Sequence, residues 1–224
     1  LCQLFGASGS GKSFVAISIG MAIAAGVPWF GHIVQTGGVI YICGEGKAGI
    51  TKRLKAWEAR YGQNISPIPF YISSMKADFP EPSTVAQVRQ AIEALGIKPR
   101  LIIIDTLSRN FVGNENETQD MAGFIRAIDD LKDCYGASVL IVHHTGHGEK
   151  ERSRGSGALK AAMDAEYLVE KAKAGQIVFR CTKMKDAEEP KDKTFELAPV
   201  TMLVSDFPQT GVVLAGIEMT MHER

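Results

Sequence analysis

The chain has 224 residues, 45% of them apolar and 22% charged, with 25 Lys plus Arg against 25 Asp plus Glu. These are ordinary globular values, and the length suits one large domain with a buried core. Zero formal net charge excludes whole-molecule attraction to nucleic acid or an anionic membrane, so any polymer contact has to come from local basic loops.

Leu1 to Phe5 reads as a first strand, and a helical pattern covers 12–25. Between them stands "GASGSGKS", with the spacing Gly6-x4-Gly11-Lys12-Ser13. The strand–loop–helix context is the one in which this motif grips phosphates. The glycines let the backbone curl so that amide groups of Gly6, Ala7, Ser8, Gly9, Ser10, Gly11, Lys12, Ser13 and Phe14 surround a nucleotide. The helix start adds its positive dipole end. Lys12 supplies a point charge for the β and γ phosphates of ATP, and Ser13 a hydroxyl ligand for Mg²⁺.

Gly38 to Cys43 is the second strand, followed by "GEGKAGI" and a helix over 49–61. Glu45 stands just past that strand. In a parallel sheet the C-terminal strand ends gather at one edge, where ligands bind. Glu45 is therefore the candidate for orienting the attacking water; its plain alternative is an exposed loop glutamate between two glycines. Pro69 to Ser73 and a helix over 83–95 come next. The strand Leu101 to Asp105 then ends "LIIIDTLSR". An acid closing a buried apolar strand can hold the Mg²⁺ shell, which makes Asp105 the second metal residue beside Ser13.

A helix over 118–135 leads to the strand Ser138 to His143 and the run "VLIVHHTGH". Here a polar group can sense the γ-phosphate and pass the signal to the loop that follows. A zinc site at His143, His144 and His147 is the rival, disfavoured after a strand with no cysteine nearby. Gly62, Gly96 and Gly136 sit where helices should end. The loop "TGHGEKERSRGSG", 145–157, carries Lys150, Arg152 and Arg154, which can contact strand phosphates; a solvated loop is the alternative. After Gly157, "AEYLVEK", "QIVFRCTK", "KTFELAPV" and "GVVLAGIEMT" read as strands joined by short turns. The expected fold is thus α/β: a mostly parallel sheet flanked by helices over 1–143, then a β-rich antiparallel extension over 158–224, within one domain.

The cysteines, Cys2, Cys43, Cys134 and Cys181, form no C-x-x-C and read as small core residues in a reducing, cytoplasmic setting. No signal peptide is visible, and the apolar run from Phe14 to Ala25 is too short to span a bilayer, so no membrane is expected. The chain opens at Leu1 inside a strand, which suggests a piece of a longer protein.

"GASGSGKS", "ICGEG", "LIIIDTLSR", "VHHTGH", "RGSGALKAAMDAEYLVEK" and "KMKD", in this order, resemble the RecA-like ATPases. Within these the likeness is to the hexameric replicative helicases, especially plasmid RepA-type helicases and the helicase halves of phage primase-helicases. The resemblance covers residues 6 to about 186. It implies a RecA-like P-loop core, ATP with Mg²⁺, a homo-oligomeric ring, a hexamer in that family's manner, and single-stranded DNA as the polymer. By position it matches Glu45 to the catalytic glutamate and His144, with His143 the alternative, to the polar sensor. The family's trans-acting finger is usually an arginine in Lys-x-Arg; here Lys183 and Lys185 stand at those positions. Recombinases of the RecA type use a Lys-x-Lys pair, and lysine brings charge without a planar fork. A solvated hairpin tip is the plain alternative for both lysines. The leading function is an ATP-hydrolysing motor on single-stranded DNA. The alternative is an ATP-dependent DNA-binding or assembly protein of recombinase or mediator type that does not unwind.

Overall fold

The computed structural model describes residues 1–44, 47–146, 155–204 and 207–217. Among these, one nine-stranded sheet runs in the order β3-β2-β4-β5-β1-β6-β7-β8-β9. The strands are β1 (Cys2–Gly6), β2 (Gly38–Cys43), β3 (Phe70–Ile72), β4 (Pro99–Asp105), β5 (Ser138–His144), β6 (Ala165–Lys171), β7 (Ile177–Met184), β8 (Lys193–Val204) and β9 (Phe207–Gly216). Helices α1 (Lys12–Ala25), α2 (Lys47–Tyr61), α3 (Pro82–Ala94), α4 (Thr118–Tyr135) and α5 (Gly157–Ala162) cover it.

The apolar strands divide their side chains between two layers. Leu101 and Ile103 of β4 join Val15, Ala16 and Leu54 beneath α1 and α2. Ile102 and Ile104 join Ile92, Phe124 and Leu159 beneath α3, α4 and α5. A strand buried on both faces loses the polar alternation of a half-exposed one, which is why "LIIID" reads as continuously apolar. α4 shows the helical counterpart, burying Met121, Phe124, Ile128, Leu131 and Tyr135 along one stripe. Gly62, Gly96 and Gly136 have φ of 64°, 63° and 61°, as expected of glycines that end helices.

The α/β fold with a mostly parallel sheet and antiparallel C-terminal strands is as expected, with three differences. β6 runs parallel to β1, pairing Cys2 with Ala165 and Phe5 with Leu168. The first strand of the C-terminal region therefore completes the parallel part, and only β7, β8 and β9 are antiparallel. α5 escaped the sequence because six residues are too few for a periodic signal; its mark is Ser156, whose Oγ accepts from the amide of Ala158 at 3.3 Å. The β8–β9 ladder is longer than "KTFELAPV" and "GVVLAGIEMT" suggested, pairing through Val204 and Phe207. These outer ends leave Leu203 and Phe207 69% and 73% exposed, and the missing burial contrast hid them.

Cys43 and Cys181 are buried, Cys2 is half-buried and Cys134 is exposed, so the core reading fails for Cys134. Among the described residues no helix is long and apolar enough to cross a membrane.

Candidate nucleotide-binding site

β1 delivers the chain to the C-terminal edge of the sheet at Gly6, and α1 begins at Lys12. The loop between them needs its glycines for stated reasons. A Cβ on Gly6 would stand 2.1 Å from the carbonyl oxygen of Val169 in β6. Gly11 precedes α1 at φ 102°, a left-handed conformation that side chains disfavour. No side chain caps α1, and no acid stands in its first turn. The helix start therefore keeps its positive end for an anion. Ser10 Oγ is buried with no hydrogen-bond partner among the described residues. Lys12 is 5% exposed; its ammonium faces back into the loop. It donates to the carbonyls of Gly6 at 2.9 Å and Ala7 at 2.7 Å and stands 3.5 Å from His144 Nδ1.

A Gly6→Ala substitution is expected to lower stability by about 2 kcal/mol or more, because the clashing atom is backbone and cannot rotate away. In a domain of this size that is a fall of at least about 4–8 °C in Tm, measurable by thermal unfolding.

The register gathers the other predicted groups at the same edge. Gly6 pairs with His144, and Val142 of β5 pairs with Asp105 of β4. Thus β5 lies between the phosphate-loop strand and the aspartate strand, about 10 Å across in all. Leu140 and Val142 belong to the layer under α1, and by alternation His144 shares their face, where it meets Lys12. Val139 and Ile141 belong to the opposite layer, and His143 is fully buried on their side. Asp105 lies on the α1 face with Ile103 and is 8% exposed. Its carboxylate accepts a hydrogen bond from the Tyr41 hydroxyl. Burial, then the Asp105 charge and that bond, push the Tyr41 phenol well above its ordinary pKa, with Arg53 opposing. The Asp105 carbonyl accepts from the Gly44 amide at 2.7 Å, which ties the end of β2 to the end of β4.

Glu45 and the loop residues His147, Lys150, Arg152 and Arg154 lie outside the described residues. What flanks them is defined. The amide of Thr145 donates to the carbonyl of Gly6 at 3.2 Å, and that of Ser156 to the carbonyl of Glu115 at 2.8 Å. The 145–157 segment therefore leaves from the phosphate loop and returns onto the loop that follows β4. Among the described residues no group of three His, Cys, Asp or Glu side chains could hold a metal ion.

Lys183 and Lys185 stand elsewhere. Lys183 pairs with Glu166 and Met184 with Ala165, which is level with Cys2. Both lysines are thus at the N-terminal edge, and β1 rises about 13 Å from Cys2 to Gly6. Lys183 Nζ donates to the carbonyls of Lys160 at 2.6 Å and Ala161 at 3.3 Å, at the end of α5. Lys185 Nζ lies 3.7 Å from Asp164, with its side chain 62% exposed. Beneath α5, Glu166 is buried, and that burial raises its pKa against the opposing charges of Lys160 and Lys183.

A curled glycine loop with an inward lysine, opening a helix next to a buried aspartate, is built to take a polyphosphate. A family model for the AAA domain matches residues 1–150. The chain belongs to the AAA domain family. No curated protein matches it. The matched span runs from β1 past His144, so the AAA domain includes the phosphate loop, Asp105 and the strand between them; it identifies a nucleotide-binding ATPase of the P-loop kind.

Two features of the AAA domain site were not legible. Tyr41 sits in "VIYIC" like any strand residue, and only the register shows its hydroxyl reaching Asp105. Arg53 lies on α2 with no motif around it. Its guanidinium carbon is 4.3 Å from the centre of the Phe14 ring. Phe14, Arg53, Lys52, Thr210 and Gly211 border a cleft of about 290 Å³ beside the start of α1.

Proposed function

We propose that the chain is the motor domain of a ring-forming ATPase of the replicative-helicase type, acting on single-stranded DNA with each ATP site shared between neighbouring subunits. The observation that carries this reading is the placement of Lys183 and Lys185 at the sheet edge opposite Gly6. One chain does not bring them together; a head-to-tail neighbour does, and such contacts close into a ring when the rotation per subunit permits. Lys185, the more exposed, is lent to the neighbour's terminal phosphate, with Lys183 beside it.

Within the site, Lys12 and the amides from Gly6 to Phe14 hold the phosphates of ATP. Ser13 and Asp105 offer only oxygen ligands, the donor set Mg²⁺ favours. Held there, Mg²⁺ supplies charge neutralisation at the phosphate oxygens. Glu45 orients the water. The cleft that Phe14 and Arg53 border takes the base. His144, next to Lys12, reports the γ-phosphate to Thr145 and so to Lys150, Arg152 and Arg154, which contact the DNA backbone. The 145–157 segment suits that task, because its first end is bonded to Gly6 and its last to Glu115.

The Lys-x-Lys arrangement favours a second reading, an ATP-dependent DNA-binding or assembly protein of recombinase or mediator type. Two measurements decide. The motor reading expects ATP hydrolysis to rise on adding single-stranded DNA, with an oligomeric mass, and expects displacement of an annealed strand. Stimulated hydrolysis without displacement favours the second reading. A monomer whose hydrolysis ignores DNA overturns both.

A further inference from the structure

We propose that Tyr41 is a positioning residue for the divalent cation, its hydroxyl holding one oxygen of Asp105 so that the other is presented to the metal. This rests on the reading of Asp105 as a metal-holding residue, not on the motor reading.

Tyr41 is fully buried within β2, among Val39, Cys43 and Ile103. Its direct partner across the ladder is Ile103, while Cys43 faces Asp105. Positions two apart share a face, so the phenol crosses diagonally up the strand pair to the carboxylate. The Phe70 ring lies 5.8 Å from the Tyr41 ring, centre to centre, and limits its swing from the β3 side. The Tyr41 hydroxyl donates to Asp105 Oδ2, which leaves Oδ1 as the oxygen available to a ligand. The backbone of Asp105 is fixed as well, through the Gly44 amide. A phenylalanine would fill the same space without burying a hydroxyl. The hydroxyl therefore serves the carboxylate rather than the packing. Partners of this kind set the orientation of a metal ligand, and their loss typically weakens metal binding about 10- to 100-fold.

The test is a titration of the full chain with Mg²⁺ in the presence of a fluorescent ATP analogue. Tyr41→Phe is expected to bind the analogue in EDTA within about twofold of the unsubstituted chain, while its Mg²⁺ midpoint rises about 10- to 100-fold. An unchanged midpoint, or an equal loss with and without Mg²⁺, overturns the proposal. Asp105→Asn separates the two ideas. If it moves the midpoint and Tyr41→Phe does not, only the role of Tyr41 fails; if neither moves it, the reading of Asp105 fails first. A second readout needs no folded Tyr41 variant. Mg²⁺ is expected to perturb the tyrosine ultraviolet spectrum of the nucleotide-bound chain and to leave that of Asp105→Asn unchanged. Identical spectra with and without Mg²⁺ in the unsubstituted chain also overturn the proposal.

Discussion

Glu45→Gln is expected to leave ATP binding intact and to slow hydrolysis by about 10²- to 10⁴-fold, the usual worth of a positioned general base. Glutamine keeps the size and hydrogen-bonding reach of the side chain and removes only its capacity to take a proton. In this reading Asp105 does not take over: Tyr41 holds one carboxylate oxygen, the other is committed to Mg²⁺, and Thr106 follows where a second acid would stand. Glu45 directly follows Gly44, whose amide is bonded to the Asp105 carbonyl, and a Cβ on Gly44 would stand 2.2 Å from Cβ of Arg109. The strand end before Glu45 is thus pressed against the segment that follows Asp105. Equilibrium binding of labelled ATP and steady-state phosphate release check the two halves of the prediction. Unchanged hydrolysis removes Glu45 from the mechanism.

Lys12→Met is expected to weaken ATP binding by about 10²- to 10⁴-fold. Charge-assisted hydrogen bonds contribute about 1.5–3 kcal/mol each, and two of them to phosphate oxygens amount to that range. The ammonium already sits in the loop, bonded to the Gly6 and Ala7 carbonyls. Its reach toward phosphate is therefore a small redirection of a buried group and not the capture of a free chain. The same bonds mean that the substitution also strips a donor from two loop carbonyls, so thermal unfolding should accompany the binding measurement. A folded Lys12→Met chain that binds ATP normally contradicts the assignment of the loop.

Much of this was readable because the relevant signals are local. The loop glycines, Lys12 and Ser13 form one contiguous motif, and "LIIID" announces a doubly buried strand with an acid at its end. The choice between His143 and His144 was open in a list of polar residues. Alternation along β5 separates them: Leu140 and Val142 face α1, so His144 meets Lys12 while His143 enters the other layer. What stayed hidden depends on register between distant segments. Tyr41 reaches Asp105 across a parallel pair 64 residues apart in sequence. Arg53 reaches Phe14 because α2 packs beside α1, and no periodicity marks it. The sequence sets Lys183 at the family's finger position, with a solvated hairpin tip as the alternative; its bonds to the last carbonyls of α5, a helix too short to foresee, were in neither reading. The partners of these side chains follow from how the sheet is ordered, and strand order is not written in any single stretch of the chain.

The proposed sharing of each ATP site between subunits is tested most directly by mixing two disabled chains. Glu45→Gln alone and Lys185→Ala alone are each expected to hydrolyse ATP poorly. In mixed rings, a site whose own Glu45 is intact can receive Lys185 from a Glu45→Gln neighbour, so hydrolysis should recover to a substantial fraction of the unsubstituted rate. No recovery in mixed assemblies, or full activity of Lys185→Ala by itself, contradicts the lending of that lysine between subunits.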